Sequence, residues 1–528
     1  MNRPRCVVAE PIAEAGLALL REAFDVVELE PGADLRAALA DADALVVRSA
    51  TPVDAALIAD APRLRVIGRA GVGVDNVDVA AATSAGIVVC NAPEANVVSA
   101  AEHALALLLA LARHLNAAER SLRDGNWERE RFAGIELADK TLALLGFGRI
   151  GRLVASRARA LGMRTVAYDP YVTAERIAEL GAEQAESIEA ALAVADVVSL
   201  HLPVTPATRG LIDTQRLALL RPGALLVNAA RGALVDEAAL VEALRSGHLA
   251  GAALDVFAQE PLPADSPLRD APNLLLTPHL AGSTVEAQDR AGVVVAEQVV
   301  AALAGKPVAH ALNLPFVPED ERRVLEPFLP VAERLGRLAM ALAEGPVTRI
   351  EIATAGRLAS TGSRLLTSAA LRGAFGSGND SLNDVNALSI AAELGVEVAE
   401  QHRAGASDYT NLLAVTVRDP AERTVVGTVL GVEHRAWLVR VHGLPLEIEL
   451  GGRLLLLRND DVPGMVGRVG TLLGDAGINI ANMTLSRSAA GGDAMMAFAL
   501  DDDPPQSLLA TLATLPGVVA QPLYVRLS

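Results

Sequence analysis

At 528 residues and roughly 150 residues per domain, the chain has room for three or four domains. Its formal charge is −18 and only 3% of its residues are aromatic, which excludes a nucleic-acid-binding role that would need basic surface and stacking groups. Two cysteines, Cys6 and Cys90, each in an apolar run, exclude a disulfide framework and a zinc site, and no metal is expected.

Residues 1–95 alternate short β-branched runs (Cys6–Ala9, Ala44–Arg48, Leu64–Gly68, Gly86–Cys90) with alanine-rich amphipathic stretches. That alternation predicts parallel strands joined by crossover helices, an α/β fold. The N-terminus has no run long enough for a signal peptide. The most apolar stretch, Ala104–Ala112, covers half of the ~20 residues a bilayer crossing needs, so a cytoplasmic protein with no membrane partner is expected. The pattern from Asn96 to about Leu122 predicts one long helix.

The βα rhythm restarts at Thr141 and runs to about Pro278, followed by a helix over about 284–304 that Gly305-Lys306-Pro307 terminates. Composition changes near Pro315. Residues 320–345 predict helix, and 347–450 predict strands at RIEIATAG, TVVGTVLG, AWLVRVHG and LEIEL between glycine-rich loops. From Gly452 the order is strand, helix, strand, strand, helix, strand, a ferredoxin-like module.

The strand Thr141–Leu145 runs into Gly146-Phe-Gly148-Arg-Ile-Gly151, and a helical pattern follows. In that context the glycines predict a dinucleotide site. Gly146 makes the turn, Gly148 lets the backbone approach a pyrophosphate, Gly151 lets helix and strand pack, and the helix N-terminus faces the phosphates. Asp169, 18 residues past Gly151, is placed for a ribose diol and would repel a 2′-phosphate, so NAD is favoured over NADP.

Three further segments sit at predicted strand ends on the same side: NAARG ending at Gly232, DVFAQEP from Asp255, and TPHLAG from Thr277. Hydride transfer from a hydroxy acid needs a base for the hydroxyl proton, a carboxylate to hold that base, and a cation for the substrate's carboxylate and carbonyl oxygen. His279, Glu260 and Arg231 supply these in turn.

With RAGVGVDNVD (69–78), NAPEANVVSAAEH (91–103), GFGRIG, NAARGALVDE (228–237), AALDVFAQEP (252–261) and TPHLAGST (277–284), the sequence resembles the D-isomer-specific 2-hydroxyacid dehydrogenases, and most closely those acting on 3-phosphoglycerate. The resemblance implies a discontinuous flavodoxin-like substrate domain of residues 1–96 and 285–310 around a Rossmann NAD-binding domain of residues 97–284. It implies cofactor contacts at Arg149, Ile150, Asp169, Leu202, Pro203, Thr208, Ala229, Ala230, Arg231, Asp255 (near the nicotinamide amide), His279, Ala281 and Gly282. The substrate pair would be 3-phosphoglycerate and 3-phosphohydroxypyruvate. They would be held by Arg48, Ser49, Arg69, Gly71, Val72, Gly73 and Asn76, with Arg129, ahead of Arg131 as second candidate, reaching across a subunit interface of a homotetramer.

Residues 315–450 resemble the intervening domain of the long form of these enzymes, an α+β unit, and residues 452–528 resemble an ACT domain. The latter implies that L-serine binds as an effector at Asp461 and Asn479. A glyoxylate or hydroxypyruvate reductase would share the catalytic set, and a dinucleotide-sensing regulator would share the fold. The C-terminal module argues against both.

Overall fold

The computed structural model describes residues 3–315, 317–376, 382–403, 405 and 408–527. The first β-branched runs form β1 (Arg5–Val8), β3 (Ala44–Val47), β4 (Val66–Arg69) and β5 (Val88–Asn91), joined by β2 (Asp25–Glu28). They make a wholly parallel sheet of order β2-β1-β3-β4-β5. β3, ALVV, is buried at every residue, which is why it reads as a continuous apolar run without alternation. β2 is an addition to the expected set. It is an edge strand with Asp25 and Glu28 exposed, so its two valines carry little signal.

The helix Val285–Leu303 packs back onto this first sheet. Gly68 in β4 gives it room, since a Cβ there would lie 2.7 Å from Val299 and 2.9 Å from Val295.

Between these parts lies a second parallel sheet. Its strands are β6 (Thr141–Leu145), β7 (Arg164–Tyr168), β8 (Glu183–Gln184), β9 (Val197–Leu200), β10 (Ala224–Asn228), β11 (Leu249–Leu254) and β12 (Leu274–Leu276). The order β12-β11-β10-β9-β6-β7-β8 reverses direction between β6 and β9, and ligands of such sheets bind beyond the strand ends at that point.

The single helix expected from Asn96 to Leu122 is instead two, Val97–Ala112 and Leu115–Arg123, bent by 60°. His114 sits at the break with φ 50°. The cause is tertiary. The Ala112 carbonyl accepts a hydrogen bond from Ile135 N (2.9 Å), and Gly134 packs so closely that a Cβ would lie 2.5 Å from that same oxygen. No single helix among the described residues is long and apolar enough to cross a membrane.

The third sheet is mixed, with β13 (Arg349–Gly356), β14 (Glu397–Arg403), β15 (Asn411–Arg418), β16 (Glu422–Leu430), β17 (Arg435–Val441) and β18 (Leu444–Glu449) in the order β14-β13-β15-β16-β17-β18. β14 and β15 add to the four strands expected. β14 (EVAEQHR) is an edge strand with five of its seven residues charged or polar. The last sheet has β19 (Arg453–Asp460), β20 (Ile480–Arg487), β21 (Asp493–Leu500) and β22 (Leu523–Arg526) in the order β20-β21-β19-β22. With helices Met465–Asp475 and Gln506–Ala513 it has the expected ferredoxin-like order.

The LLLL run of β19 has a structural reason. Leu455 and Leu457 pack on those two helices, whereas Leu454 and Leu456 join the core of the third sheet. Both faces of β19 are therefore buried, and the two C-terminal units share apolar packing.

Candidate active site

The carboxyl ends of the first two sheets face one cleft, which holds a cavity of about 120 Å³. The first sheet contributes Arg48 and Ser49 beyond β3, Arg69 at the end of β4, and the loop Gly71–Gly73 with Asp75. The second contributes Arg231 beyond β10, and His279 and Gly282 beyond β12.

His279 Nδ1 lies 2.6 Å from Glu260 Oε2, and Glu260 Oε1 accepts from Phe257 N at 2.9 Å. Burial pushes the Glu260 carboxyl up, but the hydrogen bonds from His279 and the Phe257 N–H outweigh it and hold the group below the ordinary carboxylate range. An ionised Glu260 can only accept, so Nδ1 donates and the Nε2 lone pair is left for the cavity.

Asp255 fixes the loop that carries the histidine. Its carboxylate is fully buried and accepts from Leu280 N (2.8 Å), Ala281 N (2.8 Å) and Thr277 Oγ1 (2.6 Å). His103 Nε2 is 3.1 Å away. Burial raises its pKa, but the hydrogen bonds from His103, Thr277 and the two N–H groups win and lower it. The carboxylate is thus bound both by the loop it organises and by His103 from the helix Val97–Ala112, and the Ala281 N–H is among its donors.

Arg231 donates through Nε to Asp75 Oδ2 (3.2 Å) and through Nη1 to Ala230 O (2.7 Å). The turn before it is held by buried Asn228, which accepts from Ala230 N (3.0 Å) and donates to Arg231 O (2.9 Å). Arg69 brings a second guanidinium, with its Nε buried and unpartnered. Burial, together with neighbouring Arg231, lowers its pKa against the pull of Asp75 and Glu10. A side chain at Gly71 or Gly73 would displace an arginine of the site. A Cβ at Gly71 would lie 1.7 Å from Arg69 Nη1, and one at Gly73 would lie 2.2 Å from Arg231 Nη2. Val72 holds the loop through its carbonyl, which accepts from Asn91 Nδ2 at 2.5 Å.

The dinucleotide loop fits its expected cofactor. Gly146 has φ +96° and a Cβ there would lie 2.4 Å from His201 O; at Gly151 a Cβ would lie 2.3 Å from Gly146 O. Gly148 faces open space and caps the helix Arg149–Ala160 without a side-chain bond, which leaves the first N–H groups for a pyrophosphate. Asp169 accepts from Phe147 N (2.8 Å) and Tyr171 N (2.9 Å) beside this loop. Ile150 and Ala229 pack against the sheet core, Leu202 packs on its other face, and Arg149 pairs with Glu94 at 2.8 Å. Thr208 Oγ1 donates to Pro203 O at 2.7 Å and so staples its own loop.

Other expected residues lie apart from the cavity. Asn76 braces the turn after β3: its Nδ2 donates to Arg48 O (2.8 Å) and Thr51 O (2.6 Å). Arg129 lies on an exposed 3-10 turn, Arg129–Phe132, outside the cavity of its own chain. Asp461 and Asn479 do not meet within one chain. Asp460 pairs with Asp493 at the start of β21, and Ile480 with Leu500 at its end, a separation of about 24 Å. Asp461 accepts from Arg487 Nη1 (2.7 Å) and Gly491 N (3.0 Å), and Asn479 donates to Asp501 (2.6 Å). Sequence reasoning missed Asp75, although it stands inside the quoted RAGVGVDNVD motif, and missed His103 and Glu10, whose partners are remote in the chain.

Residues 105–281 match the D-isomer specific 2-hydroxyacid dehydrogenase NAD binding domain, 324–442 the D-3-phosphoglycerate dehydrogenase intervening domain, and 453–517 the ACT domain. The chain is 45% identical over 518 residues to D-3-phosphoglycerate dehydrogenase of Mycobacterium tuberculosis, covering 97% of each chain. It is 40% identical over 522 residues to that of Archaeoglobus fulgidus, covering 98% of each. Among solved structures, NAD-dependent formate dehydrogenase from Staphylococcus aureus in complex with NAD aligns with TM-score 0.52 at 33% identity, over 58% of this chain and 96% of the other.

The two parallel sheets, the dinucleotide loop and the cleft between them define an NAD-binding 2-hydroxyacid dehydrogenase. Within that class the chain belongs to the D-3-phosphoglycerate dehydrogenase family, in the long form with an intervening domain and an ACT domain.

Proposed function

We propose that the cleft oxidises 3-phospho-D-glycerate to 3-phosphohydroxypyruvate, the first step of L-serine synthesis, with the roles that follow. The observation that carries this is the concentration of Arg48, Arg69 and Arg231 on one small cavity with His279. One guanidinium can hold a carboxylate bidentately, so three on one small cavity suit a substrate that carries a phosphate as well. His279 Nε2 takes the C2 hydroxyl proton, and Glu260 supports the imidazolium that results. Arg231 holds the substrate carboxylate and steadies charge on the C2 oxygen as the carbonyl forms. NAD, when bound, supplies the acceptor for the C2 hydride. Arg48, Ser49 and Arg69 face the phosphate. In this reading residues 1–96 and 285–310 bind substrate and 97–284 bind the cofactor.

The chain acts in this reading as a homotetramer. Leu115, Leu122, Trp127 and Ile135, near Arg129 in the chain, are exposed apolar side chains, which suits burial against a second copy and delivery of Arg129 to its cleft. The ACT units pair so that Asp461 of one copy and Asn479 of another hold L-serine. Both thiols are free and buried, in keeping with a cytoplasmic enzyme. Initial rates on 3-phosphoglycerate with NAD, and on phosphohydroxypyruvate, hydroxypyruvate and glyoxylate with NADH, test the assignment. A strong preference for the phosphorylated pair is expected, and equal rates on glyoxylate would overturn it.

A further inference from the structure

Glu10, two residues beyond β1, has no part in the chemistry above. Its carboxylate nevertheless accepts three backbone N–H groups from the turn that follows β3: Arg48 (3.0 Å) and Thr51 (2.9 Å) at Oε1, and Ala50 (3.3 Å) at Oε2. Backbone donors converging in this way form a nest of the kind that takes anions. Here a side chain 38 residues upstream fills it. The carbonyls of the same turn are held from the other side by Asn76, at Arg48 O and Thr51 O. Arg48 in turn donates through Nη1 to the carbonyl of Pro11 (3.3 Å), the residue next to Glu10. Pro11, Arg48 and Ser49 all line the cavity.

Two side chains thus make five hydrogen bonds to a turn that belongs to no helix or strand. The bonds to Glu10 are charge-assisted, so they are the stronger ones. An unfilled nest this close to the cavity would offer a phosphate a second docking place, away from Arg48.

We propose that Glu10 is a positioning residue for substrate specificity: its carboxylate occupies the anion nest of residues 48–51, so that a substrate phosphate meets the Arg48 guanidinium and Ser49 hydroxyl in one fixed geometry. This rests on the reading that Arg48 and Ser49 face the phosphate. A Glu10→Gln side chain keeps the shape, but its amide nitrogen turns a donor toward the Ala50 N–H, and the charge is gone. The turn then loses one bond and weakens the others.

The experiment compares KM for 3-phosphohydroxypyruvate with KM for hydroxypyruvate, using full-length wild type, Glu10→Gln, Asn76→Ala and Arg48→Ala with NADH. Glu10→Gln is expected to raise the ratio of the two KM values by roughly tenfold, the scale of a sub-ångström to ångström misplacement. Its kcat on the phosphorylated substrate should change less than its KM. Asn76→Ala, which loosens the same turn through its carbonyls, should move the ratio the same way and decides the matter if Glu10→Gln does not fold. An unchanged ratio in these variants, while Arg48→Ala raises it, overturns the proposal and leaves the substrate reading standing. An unchanged ratio in Arg48→Ala overturns the phosphate reading, and the proposal falls with it.

Discussion

The histidine at the centre of the site is useful only because its neighbours decide which nitrogen is free. Glu260 is held below its ordinary value of 4.5 by His279 and the Phe257 N–H. The pairing therefore adds stability that is complete above the ordinary value and is lost as pH falls through the lowered one. At neutral pH Glu260 is ionised and His279 can act as base. His279→Ala is expected to cut turnover by roughly 10²–10⁴-fold while NAD affinity stays close to wild type; comparable turnover would remove His279 from the chemistry. Glu260→Gln is expected to cost less than His279→Ala, because its amide oxygen can still accept from Nδ1 while the charge that supports the imidazolium is gone. Initial rates of both variants at neutral pH check this. His279, Glu260 and Arg231 stood out in the sequence because each lies in a dense motif in the loop that follows a strand. The burial of Asp255 did not, because its partners are backbone N–H groups and a histidine 152 positions away.

Elements were mostly legible where one face or both decide the pattern, although central β15 was missed despite burying Leu413, Val415 and Val417 on one face. The buried strands β1, β3, β4, β6, β9 and β10 read directly from their apolar runs, and the edge strands β2, β8 and β14 did not, being short or polar. The break at His114 was hidden because both halves keep helical periodicity, and the cause lies in residues 134 and 135 packing on Ala112. The loop 71–73 shows a different kind of constraint, where glycine makes room for an arginine from another sheet. Gly73→Ala would place a Cβ 2.2 Å from Arg231 Nη2 and must push that guanidinium aside. A rise of roughly tenfold or more in KM for the substrate is expected, with NAD binding by fluorescence titration unchanged. Wild-type KM in this variant would show that Arg231 is not held where the carboxylate binds.

At the scale of the whole chain, the ACT-type unit is not a detachable accessory. Leu454, Leu456, Met495, Ala497, Val525 and Leu527 belong to the same core as Leu338, Leu446 and Ile448 of the preceding unit. Truncation near Gly451 would expose that core, at roughly 25 cal/mol per Å² of apolar surface, and any loss of serine response would be confounded with unfolding. Point substitutions separate the two. Asp461 and Asn479 lie at opposite ends of β21, so a serine site using both needs two copies, and occupancy must favour one relative arrangement of subunits over another. Only such a difference in affinity between arrangements can slow a distant active site. Asp461→Ala and Asn479→Ala are each expected to raise the serine concentration for half-inhibition by about 10–150-fold, the worth of one charge-assisted contact. Activity without serine and NAD binding should remain as in wild type. Mixing the two single variants in one preparation supplies the decisive arm. A mixed pair carries one intact half-site combination, Asp461 and Asn479 from different copies, so part of the serine response should return after subunit exchange. Wild-type protein that ignores millimolar serine would reduce the module to an assembly contact.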